Sequence, residues 1–216
     1  MTAGTEVFDG FGDGAVEFYD GLLADNSKAY WTDQKPVYDE HVRGPMLALL
    51  AALEPEFGAG KIFRPYRDVR FSHDKTPYKT HCGGFAAPYY VELSAEGLMA
   101  AAGYYRMASD QVARYRTAVA DDRRGDDLAS RLAAVEEAGL TVDGDLLKSR
   151  PRGVDPEHPR LGLLRHRSLY VWRRWAPDDV LHERGCLHRV ADTWRTARPV
   201  AEWLADHVGP SEQPRR

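Results

Sequence analysis

Side chains that could hold an anion and move a proton are concentrated between Lys61 and His81. This stretch contains six Lys or Arg residues and two Asp residues, in a chain whose formal net charge is −4. Guanidinium groups form paired, planar hydrogen bonds with carboxylate and phosphate groups. The composition therefore predicts the lining of a polar site. Within this stretch the predicted anion-binding residues are Arg64, Arg67, Arg70 and Lys79.

Acid–base chemistry at such a site would need a proton acceptor and a proton donor. Asp68 and Asp74 are the candidate general bases, and Lys75 and Tyr78 are the candidate proton donors. Asp68 is expected to pair with one arginine, and Asp74 with Lys75 or Arg70. Two alternatives stay open. The charges could form a partly buried salt-bridge network that only fixes a loop, and Tyr78 could be a packed aromatic residue with a tethered hydroxyl.

A second basic stretch runs from Lys148 to Arg167 and holds six Lys or Arg residues against two acidic ones. Pro151 and Gly153 favour a loop here. If the two stretches meet in space, they form one electropositive cleft that would focus an anionic ligand. An ordinary solvated basic loop is the alternative interpretation. The further anion-binding residues predicted on this loop are Lys148, Arg150 and Arg152.

Other common catalytic and binding motifs do not occur in the sequence. It contains no P-loop, GxGxxG, GxSxG, HExxH or CxxC pattern, so no metal site is predicted and the cofactor is unknown. No apolar run approaches the roughly 18 residues of a membrane span, and the first residues do not resemble a secretory signal. Cys82 and Cys186 are far apart, which predicts two reduced thiols in a cytoplasmic protein.

The elements that would position these residues follow an α+β order. Apolar residues at helical spacing predict helices at about residues 14–24, 36–56, 109–121, 126–138 and 184–207, the second of them kinked or split at Gly44-Pro45. Alternating patterns predict strands at about residues 66–72, 79–85, 89–93, 98–105 and 168–175. Short connections imply antiparallel pairing. The predicted fold is an α+β single domain over residues 1–208, with an antiparallel sheet of about four to six short strands flanked by amphipathic helices, and a polar tail over residues 209–216.

The sequence RPYRDVRFSHDKTPYKTH at Arg64–His81 resembles the diagnostic motif of a family of bacterial proteins, domain of unknown function 2461. The resemblance covers nearly the whole chain, because the segments Asn26 to Trp31 and Leu147–Pro159 match further family patterns. His73 replaces the usual lysine beside the Asp-Lys pair, which would make the local charge pH-dependent. The resemblance implies no established activity. It does select the same two basic stretches as the charge pattern.

Together these features favour a cytoplasmic protein whose Arg/Lys/Asp/Tyr cleft binds a small phosphorylated or carboxylated ligand and could transform it by acid–base chemistry. The residues do not decide whether the protein is an enzyme, and they do not predict its oligomeric state. Two alternatives use the same residues. A nucleic-acid-binding module would need an open groove and an affinity that falls steeply with salt. A structural protein would need only a buried ion-pair network.

Overall fold

The structure is a computed structural model that describes residues 7–70 and 72–213. Its strands are β1 (Lys61–Ile62), β2 (His81–Ala86), β3 (Tyr89–Ser94), β4 (Gly97–Tyr104), β5 (Thr141–Asp143) and β6 (Leu169–Trp175). They form a six-stranded antiparallel sheet in the order β1-β2-β3-β4-β6-β5, which confirms the predicted fold class. The helices are α1 (Gly14–Ala24), α2 (Lys28–Val37), α3 (Gly44–Phe57), α4 (Ser109–Ala120), α5 (Asp122–Glu137), α6 (Leu161–Leu164) and α7 (Gly185–His207). None of these described helices is long and apolar enough to cross a membrane.

The chain divides into two compact units. The first contains the residues up to Ala100 together with Arg174–Asp192, and the second contains Ala101–Arg173 together with the residues from Thr193 onward. The first basic stretch lies in the first unit and the second basic stretch lies in the second unit. The single cleft that would join them stays a prediction.

In the first unit, α3 packs directly on the buried face of β2. A Cβ atom at Gly84 would lie only 2.9 Å from Leu50 Cδ1, so only glycine permits this close approach without displacing Leu50. The helix type changes at the predicted Gly44-Pro45 position, while the backbone stays helical on both sides. A π-helical segment, Tyr38–Arg43, separates α2 from α3, and Pro45 stands in the first turn of α3, where its missing N–H is tolerated.

The strand predicted at residues 66–72 is wrong. Among the described residues of this range only Tyr66 pairs as in a sheet, in an isolated antiparallel bridge with Tyr78. Beyond the backbone bonds of this bridge, side chains satisfy part of the loop backbone: Lys75 Nζ donates to Val69 O at 3.0 Å and Asp68 Oδ1 accepts from Arg70 N at 3.3 Å. The segment Tyr66–Tyr78 is consequently a loop, called the motif loop below; its residue Phe71 lies outside the described residues.

In the second unit, one arginine joins the end of α4 to the start of α5. The Arg160 side chain is only 8% exposed and forms salt bridges of 2.8 Å with Asp122 and 2.6 Å with Asp126. It also donates to the Val119 and Ala120 carbonyl oxygens at 2.9 and 3.3 Å. Because these carbonyls end α4, Arg160 satisfies acceptors that the helix itself leaves unpaired. This arginine has a structural role.

Candidate anion-binding site

The motif loop is attached to the start of α2 by Asn26 and Trp31. The Asn26 side chain bonds both backbone groups of Tyr78, donating to its O at 3.1 Å and accepting from its N at 3.0 Å. The Trp31 ring stacks on the Tyr78 ring, with centroids 4.4 Å apart and planes 9° apart. Ser27 caps α2 by accepting a hydrogen bond from Tyr30 N at 3.1 Å, which fixes the turn that carries Trp31. The C-terminal end of the loop is thus held by residues that precede it by about fifty positions.

The charged residues of the motif loop pair with one another. Arg70 donates two hydrogen bonds to Asp68, from Nε to Oδ1 at 2.9 Å and from Nη2 to Oδ2 at 2.7 Å. Arg67 donates through Nη1 to both Asp74 and Thr76. The predicted partner of Asp74 was Lys75 or Arg70, and that prediction is wrong because Arg67 occupies this carboxylate. The Arg70 and Asp74 side chains are 76% and 56% exposed, and that of Arg67 is 30% exposed. The partly buried network that only fixes a loop and the ligand site therefore both stay predictions.

These pairs change the acid–base properties of the two predicted general bases. The hydrogen bonds from Arg70 lower the pKa of Asp68 to about 2. Those from Arg67 and from the Thr76 backbone lower the pKa of Asp74 to about 2. A carboxylate with so low a pKa is a weak proton acceptor near neutral pH. The geometry therefore favours an orienting role for both aspartates, and their catalytic role stays a prediction.

The two predicted proton donors also make structural contacts. Lys75 is exposed, and its ammonium caps the Val69 carbonyl within the loop. Tyr78 is only 5% exposed, and burial raises its pKa. Its stacked ring and its two backbone bonds to Asn26 are what a packed aromatic residue would show. Their donor roles stay predictions as well.

A depression of about 490 Å³ opens beside the motif loop. Arg67, Thr76, Lys79 and His81 bring polar groups to it, and Leu22 of α1 contributes to an apolar wall. Lys79 is half-buried, and its Nζ lies 5.1 Å from the centre of the Phe63 ring. Its backbone N donates to Pro65 O at 2.8 Å, but its ammonium group makes no hydrogen bond or ion pair among the described residues. Burial, followed by the nearby positive charge of Arg64, lowers the pKa of Lys79. An ammonium group in this position lacks a counter-charge.

Behind the depression stands a polar cluster that the sequence analysis did not predict. Glu92 accepts a hydrogen bond from the Tyr90 hydroxyl at 2.7 Å. Its carboxylate lies 3.8 Å from His81 Nε2 and 3.7 Å from Arg174 Nη2. Burial, the largest influence, lowers the pKa of His81, and Glu92 opposes the shift only in part. Because Tyr90 and Glu92 are alternate residues of a correctly predicted strand, their polar pattern was a usable signal; Arg174 could not be placed beside them without the strand order.

The second basic loop is solvent-exposed at all three predicted residues, Lys148, Arg150 and Arg152. Its backbone is held by Arg165, whose Nε donates to Leu147 O at 2.8 Å and whose Nη2 donates to Lys148 O at 3.3 Å. Arg150 donates to the Val154 carbonyl within the loop. The loop is consequently ordered by arginine–carbonyl bonds, and its anion-binding role stays a prediction.

Metal and thiol chemistry gain no support from the described side chains. Within residues 7–70 and 72–213 no group of three or more His, Cys, Asp or Glu residues could hold a metal ion. Burial raises the pKa of the Cys82 thiol to about 11 and that of Cys186 to about 12, so neither is an activated nucleophile.

Comparison with known proteins places the chain in a family. A family model described as conserved hypothetical protein, domain of unknown function 2461, matches residues 14–203, which is most of the chain. No curated protein and no solved structure matches it. The matched range contains the motif loop, its anchors Asn26 and Trp31, and the second basic loop. The chain therefore belongs to the domain of unknown function 2461 family of conserved hypothetical proteins.

Proposed function

We propose that the first unit binds a small phosphorylated or carboxylated anion in the depression beside the motif loop. The observation that carries the proposal is the Lys79 ammonium, which is half-buried and has no counter-charge among the described residues. Burying a charge without a partner is unfavourable, and a bound anion would remove that penalty. The proposal includes the cytoplasmic location that the sequence predicts.

Arg67 is positioned to assist Lys79. It uses only Nη1 for both of its partners, Asp74 and Thr76, so its Nε and Nη2 have no partner in the part of the chain that the structure describes. A guanidinium group held in this way presents two further donors in a fixed plane, which suits two oxygens of a phosphate or carboxylate. In this proposal Asp74 orients Arg67 and does not itself accept a proton.

His81 supplies the acid–base element of the proposal. Among the residues that line the depression it is the side chain whose ordinary pKa lies nearest to neutral pH. Burial favours its neutral form, in which one ring nitrogen can accept a proton from a bound ligand or from water. Glu92 would stabilise the resulting imidazolium charge, because its carboxylate lies 3.8 Å from His81 Nε2. In the sheet Glu92 is opposite Gly83, which follows His81 along β2, whereas Lys79 precedes it.

The proposal is tested by calorimetric titration of the protein with inorganic phosphate and with citrate. Lys79→Gln should weaken binding about tenfold or more, since hydrogen bonds to charged groups contribute roughly 1.5–3 kcal/mol. Lys28→Gln is the matched control, because Lys28 is an exposed lysine of the same unit outside the depression. If Lys79→Gln binds both anions as well as the parent does, the site is wrongly placed.

Single-stranded nucleic acid is the second candidate ligand. Phe63 and Tyr66 are 42% and 50% exposed in the same stretch as the exposed cations Lys61 and Arg64. Exposed rings beside cations can stack bases while holding the phosphate backbone. Titration with a short oligonucleotide at several salt concentrations separates the two candidates. A steep fall in affinity with salt, together with weaker binding by Phe63→Ala, would favour nucleic acid over a small anion.

A further inference from the structure

The second unit has a depression of its own, about 630 Å³ in volume, that none of the predicted site residues lines. It lies at the start of α4, and Arg167 and Ser168, which directly precede β6, also line it. Three arginines line it: Arg106, Arg116 and Arg167. One carboxylate, Asp145, is present among them, which leaves an excess of two positive charges in the lining.

The three guanidinium groups are only partly engaged by the protein. Arg106 is exposed and makes no hydrogen bond or ion pair with any described residue. Arg116 donates through Nε to Leu164 O at 3.2 Å, and its two terminal nitrogens have no partner among residues 7–70 and 72–213. Arg167 is the paired member, with Nη2 at 2.8 Å from Asp145 Oδ1.

This arrangement differs from that of Arg160 in the same unit. Arg160 directs Nε, Nη1 and Nη2 to acceptors within the protein, so it has little left for a ligand. Arg116 is held by one bond at Nε, which fixes the plane of the guanidinium group and leaves its terminal nitrogens available. Arg106 adds a second available cation to the lining.

We propose that this depression binds a small molecule carrying a phosphate monoester. The two excess positive charges match the charge of a phosphate monoester, which approaches −2 near neutral pH. Arginine forks provide the planar, paired donors that phosphate oxygens accept. The depression also reaches Tyr105, which is 71% exposed and whose ring centroid lies 5.5 Å from that of Tyr170. The Tyr105 ring offers a surface for the organic part of the ligand.

A two-dimensional ¹H–¹⁵N NMR titration with phenyl phosphate locates the binding directly. We expect saturable shifts of the amides of Arg106, Ser109, Val112 and Ser168, because these residues line the depression. Arg106→Gln should weaken the binding about tenfold, as expected for the loss of one charge-assisted contact. Since Arg106 is exposed and makes no hydrogen bond or ion pair with described residues, its replacement should leave the fold intact.

Two controls make the result decisive. Arg123→Gln removes an equally exposed arginine of the same unit outside the depression and should not change the affinity. Lys79→Gln should also leave these amide shifts unchanged, so the outcome is independent of the site proposed in the first unit. The proposal is overturned if phenyl phosphate shifts no amide of the depression, or if Arg106→Gln and Arg123→Gln weaken binding equally.

Discussion

Arg160 of the second unit and Arg67 of the motif loop are both bonded to aspartate, but they differ in how much of the guanidinium group the protein uses. Arg160 is 8% exposed, and all three of its nitrogens have acceptors. The Arg67 side chain is 30% exposed, and only Nη1 has partners among the described residues. Charge density alone does not separate the two. The donors that the fold leaves available separate a structural arginine from one that can receive a ligand.

The largest expected effect is the loss of stability on removing Arg160. Arg160→Met should lower the free energy of unfolding by about 2–3 kcal/mol, because the Val119 and Ala120 carbonyls lose a charged donor at the helix end. The exposure of Asp122 and Asp126, 96% and 72%, keeps the cost below that of a fully buried pair. Arg67→Met should cost less than about 1 kcal/mol, as exposed ion pairs do. Urea denaturation of both variants measures the difference. Equal losses of stability would contradict the distinction between a structural Arg160 and a ligand-binding Arg67.

The next effect concerns ligand affinity, which should depend on Arg67 more than on Arg160. Arg67→Gln should weaken phosphate binding about tenfold, because Nε and Nη2 no longer reach the anion. Calorimetric titration of the variant against the parent measures this change. Arg43→Gln is the control, since Arg43 is an exposed arginine of the same unit that does not line the depression. An unchanged affinity in Arg67→Gln would return Arg67 to a purely structural role.

The helices and most strands were predictable because their signals are local. The patterns that predict helices at residues 14–24 and 184–207 correspond to Gly14–Ala24 and Gly185–His207 in the structure. The motif loop was not predictable in the same way. Its residues alternate as in a strand, yet none of the described residues 66–70 and 72–77 is buried, and the described part of the loop pairs only through the bridge between Tyr66 and Tyr78. Whether such a segment forms a strand depends on a partner that its own residues do not specify.

The pairing of charges was harder still to predict. From the sequence, Arg67 could pair with Asp68 or Asp74. The bridge between Tyr66 and Tyr78 brings the two arms of the loop together and so places Arg67 beside Asp74. Glu92 and Arg174 are 82 positions apart and are neighbours only because of the order of strands in the sheet. Sequence identified the stretch that lines the candidate site, and tertiary structure showed which charges pair with one another.

The smallest expected effect compares histidines of the two units under acid. Burial lowers the pKa of His166, whose Nδ1 lies 2.9 Å from Ser168 O, and Asp143 and Arg165 act on it in opposite directions. Its pKa is thus lower in the folded chain than the roughly 6.5 of an unfolded histidine. Between these two values the unfolded chain binds more protons, so stability falls as the pH falls below about 6.5.

His166→Gln should reduce the slope of stability against pH, by at most the amount that corresponds to one bound proton. His81→Gln should reduce it too, because burial also lowers the pKa of His81. Sulfate separates the two, because its charge does not change in this pH range. An anion beside Lys79 would favour the protonated form of His81, so added sulfate should flatten the slope of the parent and of His166→Gln but leave that of His81→Gln unchanged. Denaturation curves between pH 5 and about 7.5 measure all three proteins. If sulfate acts equally on His81→Gln, the anion does not bind next to this histidine.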